Sequence, residues 1–159
     1  MIIKDLKLIN WRNWKEASFI FSPGINLVVG ENARGKTNIL EAIVLLAITK
    51  SWRVSNDRAL VKRDEDFSRL IANFEEEETL VNEELRLILT EKLIKKEIKI
   101  DGLPKKMIEV LGRLRVVYFS PEEIEDFFGW PGRRRRWLDI LLSVVDYDYA
   151  YRAAVYKKV

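Results

Sequence analysis

The sequence predicts an α/β fold organised around a phosphate-binding loop, and three adjoining stretches carry that prediction. Gly30-Glu31-Asn32-Ala33-Arg34-Gly35-Lys36-Thr37 reads G-x-x-x-x-G-K-T. Directly before it, Ile25-Asn26-Leu27-Val28-Val29 is a short, β-branched apolar run of the kind that forms a buried strand. Directly after it, Asn38 to Ile48 is long and apolar enough for a mostly buried helix. Strand, glycine loop and helix in that order are the context the motif requires.

Each loop position has a chemical reason. Gly30 and Gly35 allow backbone angles and close approaches that a Cβ would forbid. Successive N–H groups can then converge as an anion-binding nest, and the positive end of the following helix adds to the field. Lys36 is the candidate catalytic residue, a point charge for the β- and γ-phosphates, and the Thr37 hydroxyl is the candidate Mg²⁺ ligand. With Asn38 at the helix start, Gly30 to Thr37 make up the predicted ATP and Mg²⁺ site.

The 159 residues fit one domain, or one domain and the start of another. That size buries a sizeable core without disulfide or metal staples. There is no Cys, which excludes disulfides and thiolate zinc sites, and no His, which removes the commonest general base. Gln is also absent. Chemistry must therefore come from carboxylates, Lys, Arg, hydroxyls and backbone. Few thermolabile residues beside many Lys, Arg and Glu point toward a thermophilic source. The net charge of +3 permits nucleic-acid binding without demonstrating it. No apolar run approaches a membrane span, and the N-terminus has no signal-peptide pattern, so the expectation is a cytoplasmic protein without membrane contact.

Along the chain, Ile2 to Ile9 reads as a first strand and Ala17 to Phe21 as a second. The link Asn10-Trp11-Arg12-Asn13-Trp14 reads as too polar for core. Ser22-Pro23-Gly24 is a turn that delivers the chain to the strand before the loop. A polar, basic loop follows the helix, from Lys50 through Arg53 to Arg58. Arg69 to Phe74, the Leu85-Leu87-Leu89 alternation and the Ile94-Ile98-Ile100 alternation then predict an antiparallel layer, half buried and half wet. The acidic run Glu75 to Glu78 is either a solvated loop or a cation site. After the Asp101-Gly102 turn, Pro104 to Leu111 predicts a short helix and Val116 to Phe119 a buried strand. Ser120-Pro121-Glu122-Glu123 is a helix start with a capping box, and Gly129 ends that helix. Trp137, Leu141, Val144 and Val145 mark one amphipathic helix, and Tyr149, Ala153 and Tyr156 another. No turn or cap signal closes the chain at Val159, so it reads as cut off within a helical region.

Nucleotide hydrolysis needs a second element, an apolar strand ending in an Asp that holds Mg²⁺. Val116 to Phe119 ends in Ser-Pro, Trp137-Leu138-Asp139 follows an Arg run, and Ile98 to Asp101 contains a Lys. None qualifies. The chain is therefore expected to bind ATP or ADP weakly and not to turn it over at a useful rate.

Several stretches together resemble the N-terminal half of the RecF family, bacterial recombination mediators in the ATP-binding-cassette and SMC-type head group. They are Leu6 to Trp14, Gly30 to Ile43, Lys50-Ser51-Trp52-Arg53, Phe119 to Glu123 and Gly129 to Asp139. The resemblance covers essentially the whole chain, and the serine-proline-glutamate start with the Pro-x-x-Arg-Arg stretch discriminates it from Rad50 and SMC heads. It implies a P-loop NTPase of the ABC-ATPase head type, with an antiparallel layer beside the P-loop strand. Residues 1–130 would be the N-terminal part of the head and 131–159 the start of a helical insertion, an incomplete fragment lacking the signature and Walker B motifs. By similarity Arg12 and Asn13 would sit near the nucleotide's phosphates or sugar; as residues alone they fit an ordinary hairpin loop equally well. Arg133 to Arg136 either meet DNA phosphates or form a helix-start cluster paired with Asp139. Lys50, Arg53 and Arg58 are comparable candidates. The implied activity is ATP-dependent DNA binding in recombinational repair and replication restart, with DNA, a homodimer formed on ATP and other recombination mediators as partners. ATPase activity would be weak and confined to the full-length protein. The alternative is a Rad50- or SMC-like head bearing a long coiled coil.

Overall fold

The structure is a computed structural model and describes residues 1–91, 93–119 and 131–156. Six strands form one antiparallel sheet: β1 (Ile2–Trp11), β2 (Trp14–Ile20), β3 (Phe67–Glu76), β4 (Thr79–Leu89), β5 (Ile94–Ile100) and β6 (Leu103–Lys105). Their order across the sheet is β2-β1-β3-β4-β5-β6. Alternation explains which face is wet. Leu6 and Leu8 of β1, Leu70, Ala72 and Phe74 of β3, and Val81, Leu85 and Leu87 of β4 all point inward and are buried. The outward set is charged and pairs across strands: Lys7 with Glu16 at 2.8 Å, and Arg69 in a two-pronged bond to Glu84 at 2.7 and 2.8 Å.

Helix α1 (Lys36–Ile48) lies on the inner face, burying Ile39, Ala42, Val44, Leu45, Leu46 and Ala47. Leu60, Val61, Val110 and Leu114 close the same core. Each fully buried Leu contributes about 1.5–3 kcal/mol, so the sheet and α1 specify one another. Two further helices, α3 (Pro131–Val145) and α4 (Tyr147–Tyr156), follow the four-residue helix α2 (Met107–Val110). The Tyr149 hydroxyl donates to Asp139 Oδ1 at 2.6 Å and ties α4 to α3. Gly112 sits at φ +80 with the Val144 carbonyl where a Cβ would stand, so only glycine allows α3 this close.

Five expectations need correction. First, Ile25 to Val29 is extended but pairs with no strand among the described residues, and Ile25, Leu27 and Val29 are 97%, 84% and 80% exposed. Second, Val116 to Phe119 is likewise unpaired, with Val117 and Phe119 exposed; Tyr118 instead lays its ring on Trp52, centroids 4.0 Å apart. A buried strand needs sheet neighbours, and among the described residues no strand pairs with either segment. Third, the β1–β2 link is not polar surface throughout: Trp11 ends β1 fully buried, bridged to Val61, with its indole N–H donating to the Asn38 carbonyl at 2.8 Å. Fourth, Pro104 lies in β6 and the helix is confined to Met107–Val110, because the Asp101-Gly102 turn folds the chain straight back along β5. Fifth, the apolar stripe expected on α3 is divided: Trp137, Leu141 and Val145 are exposed, while Val144 is half-buried. The Glu75–Glu78 run is divided: Glu75 and Glu76 end β3, paired with Lys4 and Arg113, and Glu77 and Glu78 make the turn. The helix expected from Ser120 to Gly129 lies outside the described residues.

Candidate nucleotide site

The loop's shape follows from two left-handed residues. Ala33 has φ +64 and Gly35, the residue before α1, has φ +98. Alternating hand in this way turns successive N–H groups to one side, which is the geometry of an anion nest. No side chain caps the start of α1, so its dipole end is open to a ligand. Lys36 Nζ reaches back across the loop and donates to the carbonyls of Gly30 at 2.7 Å and Glu31 at 2.8 Å. Its ammonium is thus held across the loop by two main-chain carbonyls. Arg34 and Glu31 pair at 2.7 Å, both largely exposed, which stabilises little. Thr37 is exposed beside Lys36. A magnesium ion here would take the Thr37 hydroxyl and phosphate oxygens, and no cluster of three acidic ligands stands among the described residues.

The β1–β2 hairpin leans on this loop. Asn13 donates to the Arg34 carbonyl at 3.2 Å and accepts from the Asn38 side chain at 2.8 Å. A Cβ at Gly35 would lie 2.6 Å from Asn13 Oδ1 and 2.8 Å from the Trp14 indole nitrogen, so the hairpin occupies the space that Gly35 leaves free. The Trp14 N–H is buried without a hydrogen-bond partner and abuts the loop. Arg12, also left-handed at φ +52, turns the other way. Its guanidinium grips Glu41 of α1 through Nε at 2.9 Å and Nη2 at 2.6 Å, and reaches the Ala59 carbonyl at 3.0 Å. Asn13 therefore lies at the loop, while Arg12 lies behind it.

Glu41 was not among the residues the sequence singled out. It is fully buried, and it also accepts from Ser51 Oγ at 2.5 Å and lies 3.5 Å from Arg53 Nη1. The available signal was a lone carboxylate inside an otherwise apolar helix, since a buried charge requires a partner. The basic-loop candidates Lys50, Arg53 and Arg58 are all exposed, and Arg53 donates to Asn38 Oδ1 at 2.9 Å. Arg134 and Arg135 are exposed on the first turns of α3. A polar cleft of about 550 Å³ between Arg58 and Leu89 contains none of the loop residues.

A strand-bearing hairpin packed on a G-x-x-x-x-G-K-T loop that opens a buried helix, beside an antiparallel sheet, defines a P-loop ATPase head. The chain belongs to the AAA ATPase domain family, whose model matches residues 1–136. It is 37% identical over its whole length to the DNA replication and repair protein RecF of Bacillus cytotoxicus and 38% identical to that of Bacillus thuringiensis strain Al Hakam. The chain spans 42% of the length of these relatives. Among solved structures it superposes on the recombination mediator protein RecF with ATP at a TM-score of 0.90 and 36% identity, over 99% of this chain and 42% of that one. The SMC head domain from Thermotoga maritima shares the fold, at a TM-score of 0.53 and 19% identity over 69% of this chain and 41% of that one. The likeness to RecF is thus much the stronger, and the Rad50- or SMC-like alternative is not favoured.

Proposed function

We propose that the chain binds ATP with Mg²⁺ in the cradle formed by Gly30 to Asn38, as part of an ATP-dependent DNA-binding protein of recombinational repair and replication. The observation that carries this is Lys36, held across a loop whose nest is built by Ala33 and Gly35 at the uncapped start of α1. Similarity to RecF, one of whose structures is described with ATP, supports the nucleotide and the repair pathway. In this reading residues 1–130 contribute half of an ATPase head and residues 131–159 begin its helical insertion. Lys36 serves the β- and γ-phosphates, Thr37 serves Mg²⁺, and Asn13 with Arg12 supports the nucleotide side of the hairpin. Head dimerisation on ATP, release on hydrolysis, DNA and other recombination mediators as partners, and a cytoplasmic location complete the reading for the longer protein. The exposed apolar segments Ile25–Val29 and Val116–Phe119 favour it, because they have the composition of core strands whose neighbours come from a further stretch of sheet.

Titration calorimetry with ATP tests the reading, with and without Mg²⁺. Saturable binding that Mg²⁺ strengthens and that Lys36→Ala abolishes is expected. Equal binding by parent and Lys36→Ala would place the nucleotide elsewhere. In the longer protein, a salt series of DNA affinity with and without ATP tests the switch, and an ATP effect is expected.

A further inference from the structure

Beside the phosphate loop runs a chain of polar contacts that links the β1–β2 hairpin, the start of α1 and the loop after it, backed by the buried Glu41. Arg53 Nη1 donates to Asn38 Oδ1 at 2.9 Å, Asn38 Nδ2 donates to Asn13 Oδ1 at 2.8 Å, and Asn13 Nδ2 donates to the Arg34 carbonyl at 3.2 Å. The donors run in one direction, ending on the loop itself. These contacts are anchored at both ends by one carboxylate, because Glu41 binds Arg12, the neighbour of Asn13, and stands 3.5 Å from Arg53. Ser51 Oγ donates to Glu41 at 2.5 Å while accepting the backbone N–H of Arg53 at 3.0 Å, which fixes the chain that carries Arg53.

We propose that Glu41 is a positioning residue for nucleotide binding: without touching the nucleotide, it holds the hairpin and the post-helix loop so that Asn13 and Trp14 keep the Gly30–Thr37 loop in its binding shape. Three facts carry this. Arg12 holds a left-handed backbone at φ +52, an unfavourable conformation for a non-glycine residue, and among the described residues its side chain is anchored by Glu41 and the Ala59 carbonyl. Asn13 and Trp14 follow Arg12 directly and fill the space beside Gly35, so a small swing of Arg12 moves the wall of the loop. Glu41 is fully buried and shared by two guanidinium groups, so removing its charge leaves an uncompensated cation, Arg12, only 17% exposed. Binding sites lose affinity when the groups that orient their contacts are loosened, even by about 1 Å.

The inference rests on the ATP-binding reading above, and the experiment separates the two. ATP affinity and the unfolding midpoint are measured on the chain and on Glu41→Gln, Ser51→Ala, Lys36→Ala and Leu70→Ala. Calorimetry reports the binding stoichiometry, and hence the folded fraction, separately from Kd. Glu41→Gln is expected to raise the Kd for ATP about tenfold or more in the folded fraction, with Ser51→Ala raising it less. Leu70→Ala, a core change that touches none of these polar contacts, should lower the midpoint while leaving Kd in place. An unchanged Kd in folded Glu41→Gln, with only the midpoint lowered, makes the carboxylate purely structural and overturns the proposal. Should Glu41→Gln not fold, Ser51→Ala and Arg12→Lys decide in the same way. Loss of ATP binding in the parent itself would remove the nucleotide reading, and this inference with it.

Discussion

Replacing Glu83 by Gln should make the protein more stable at neutral and mildly alkaline pH, and the size of the effect follows from where the carboxyl sits. Glu83 lies on the inner face of β4, opposite Ala72 of β3 and Ile100 of β5, fully buried, and neither oxygen has a hydrogen-bond partner among the described residues. Burial raises its pKa from about 4.5 to about 8, against a smaller opposing pull from Arg113, whose guanidinium is already bonded to Glu76 at 3.0 Å. The folded state therefore keeps a proton that the unfolded chain releases. The stability from this group is fully present below pH 4.5 and is lost as pH rises toward 8. At about 1.4 kcal/mol per pH unit, some ~3 kcal/mol disappears between pH 4.5 and 7. Gln cannot ionise, so its variant lacks that slope. Chemical denaturation of both proteins at pH 5 and at pH 7.5 measures the difference. The variant is expected to be within about 1 kcal/mol of the parent at pH 5 and to gain about 3 kcal/mol on it by pH 7.5. The carboxylates Glu16, Glu75 and Glu97, lowered by hydrogen bonds from Lys7, Lys4 and Lys95, bend both curves alike at acid pH and cancel in the comparison. Parallel stability curves for the two proteins would show that Glu83 is ionised and satisfied in the folded state, and the argument from desolvation would fail.

Other substitutions test other levels of the structure. Gly35→Ala should abolish ATP binding in a folded protein, since the new Cβ meets Asn13 and Trp14 at a φ of +98; calorimetry beside a thermal melt separates the two effects. Leu70→Ala, in the core under α1, should cost about 2–5 kcal/mol in a urea melt. Val117→Thr should change the stability of this chain by no more than about 0.5 kcal/mol, because that side chain is 100% exposed; a large loss in the same melt would mean that Val116–Phe119 is buried after all.

The readable parts of this molecule were those whose cause lies within a few residues. The loop needs glycines, a lysine and a hydroxyl at fixed spacing, and those eight positions are contiguous. The strand alternations of β3, β4 and β5 appeared where expected, because a half-buried strand writes its two faces into its own sequence. Composition misled where polarity had to stand for location. Asn10 to Trp14 contains charge and amide, yet Trp11 is core, since Arg12 carries the charge to Glu41 rather than to water. Ile25–Val29 and Val116–Phe119 have the apolar content of buried strands, but content does not supply neighbours.

By itself, then, the sequence determined the glycine loop, the helix it opens and the antiparallel character of the adjoining layer, all set by short-range backbone chemistry and side-chain period. Tertiary structure alone decided which face of each segment found cover, and that Arg12, Ser51 and Arg53 would converge on Glu41. The physical reason is distance along the chain. Arg12 and Glu41 stand 29 residues apart, and a buried charge takes whichever partner the folded core brings to it.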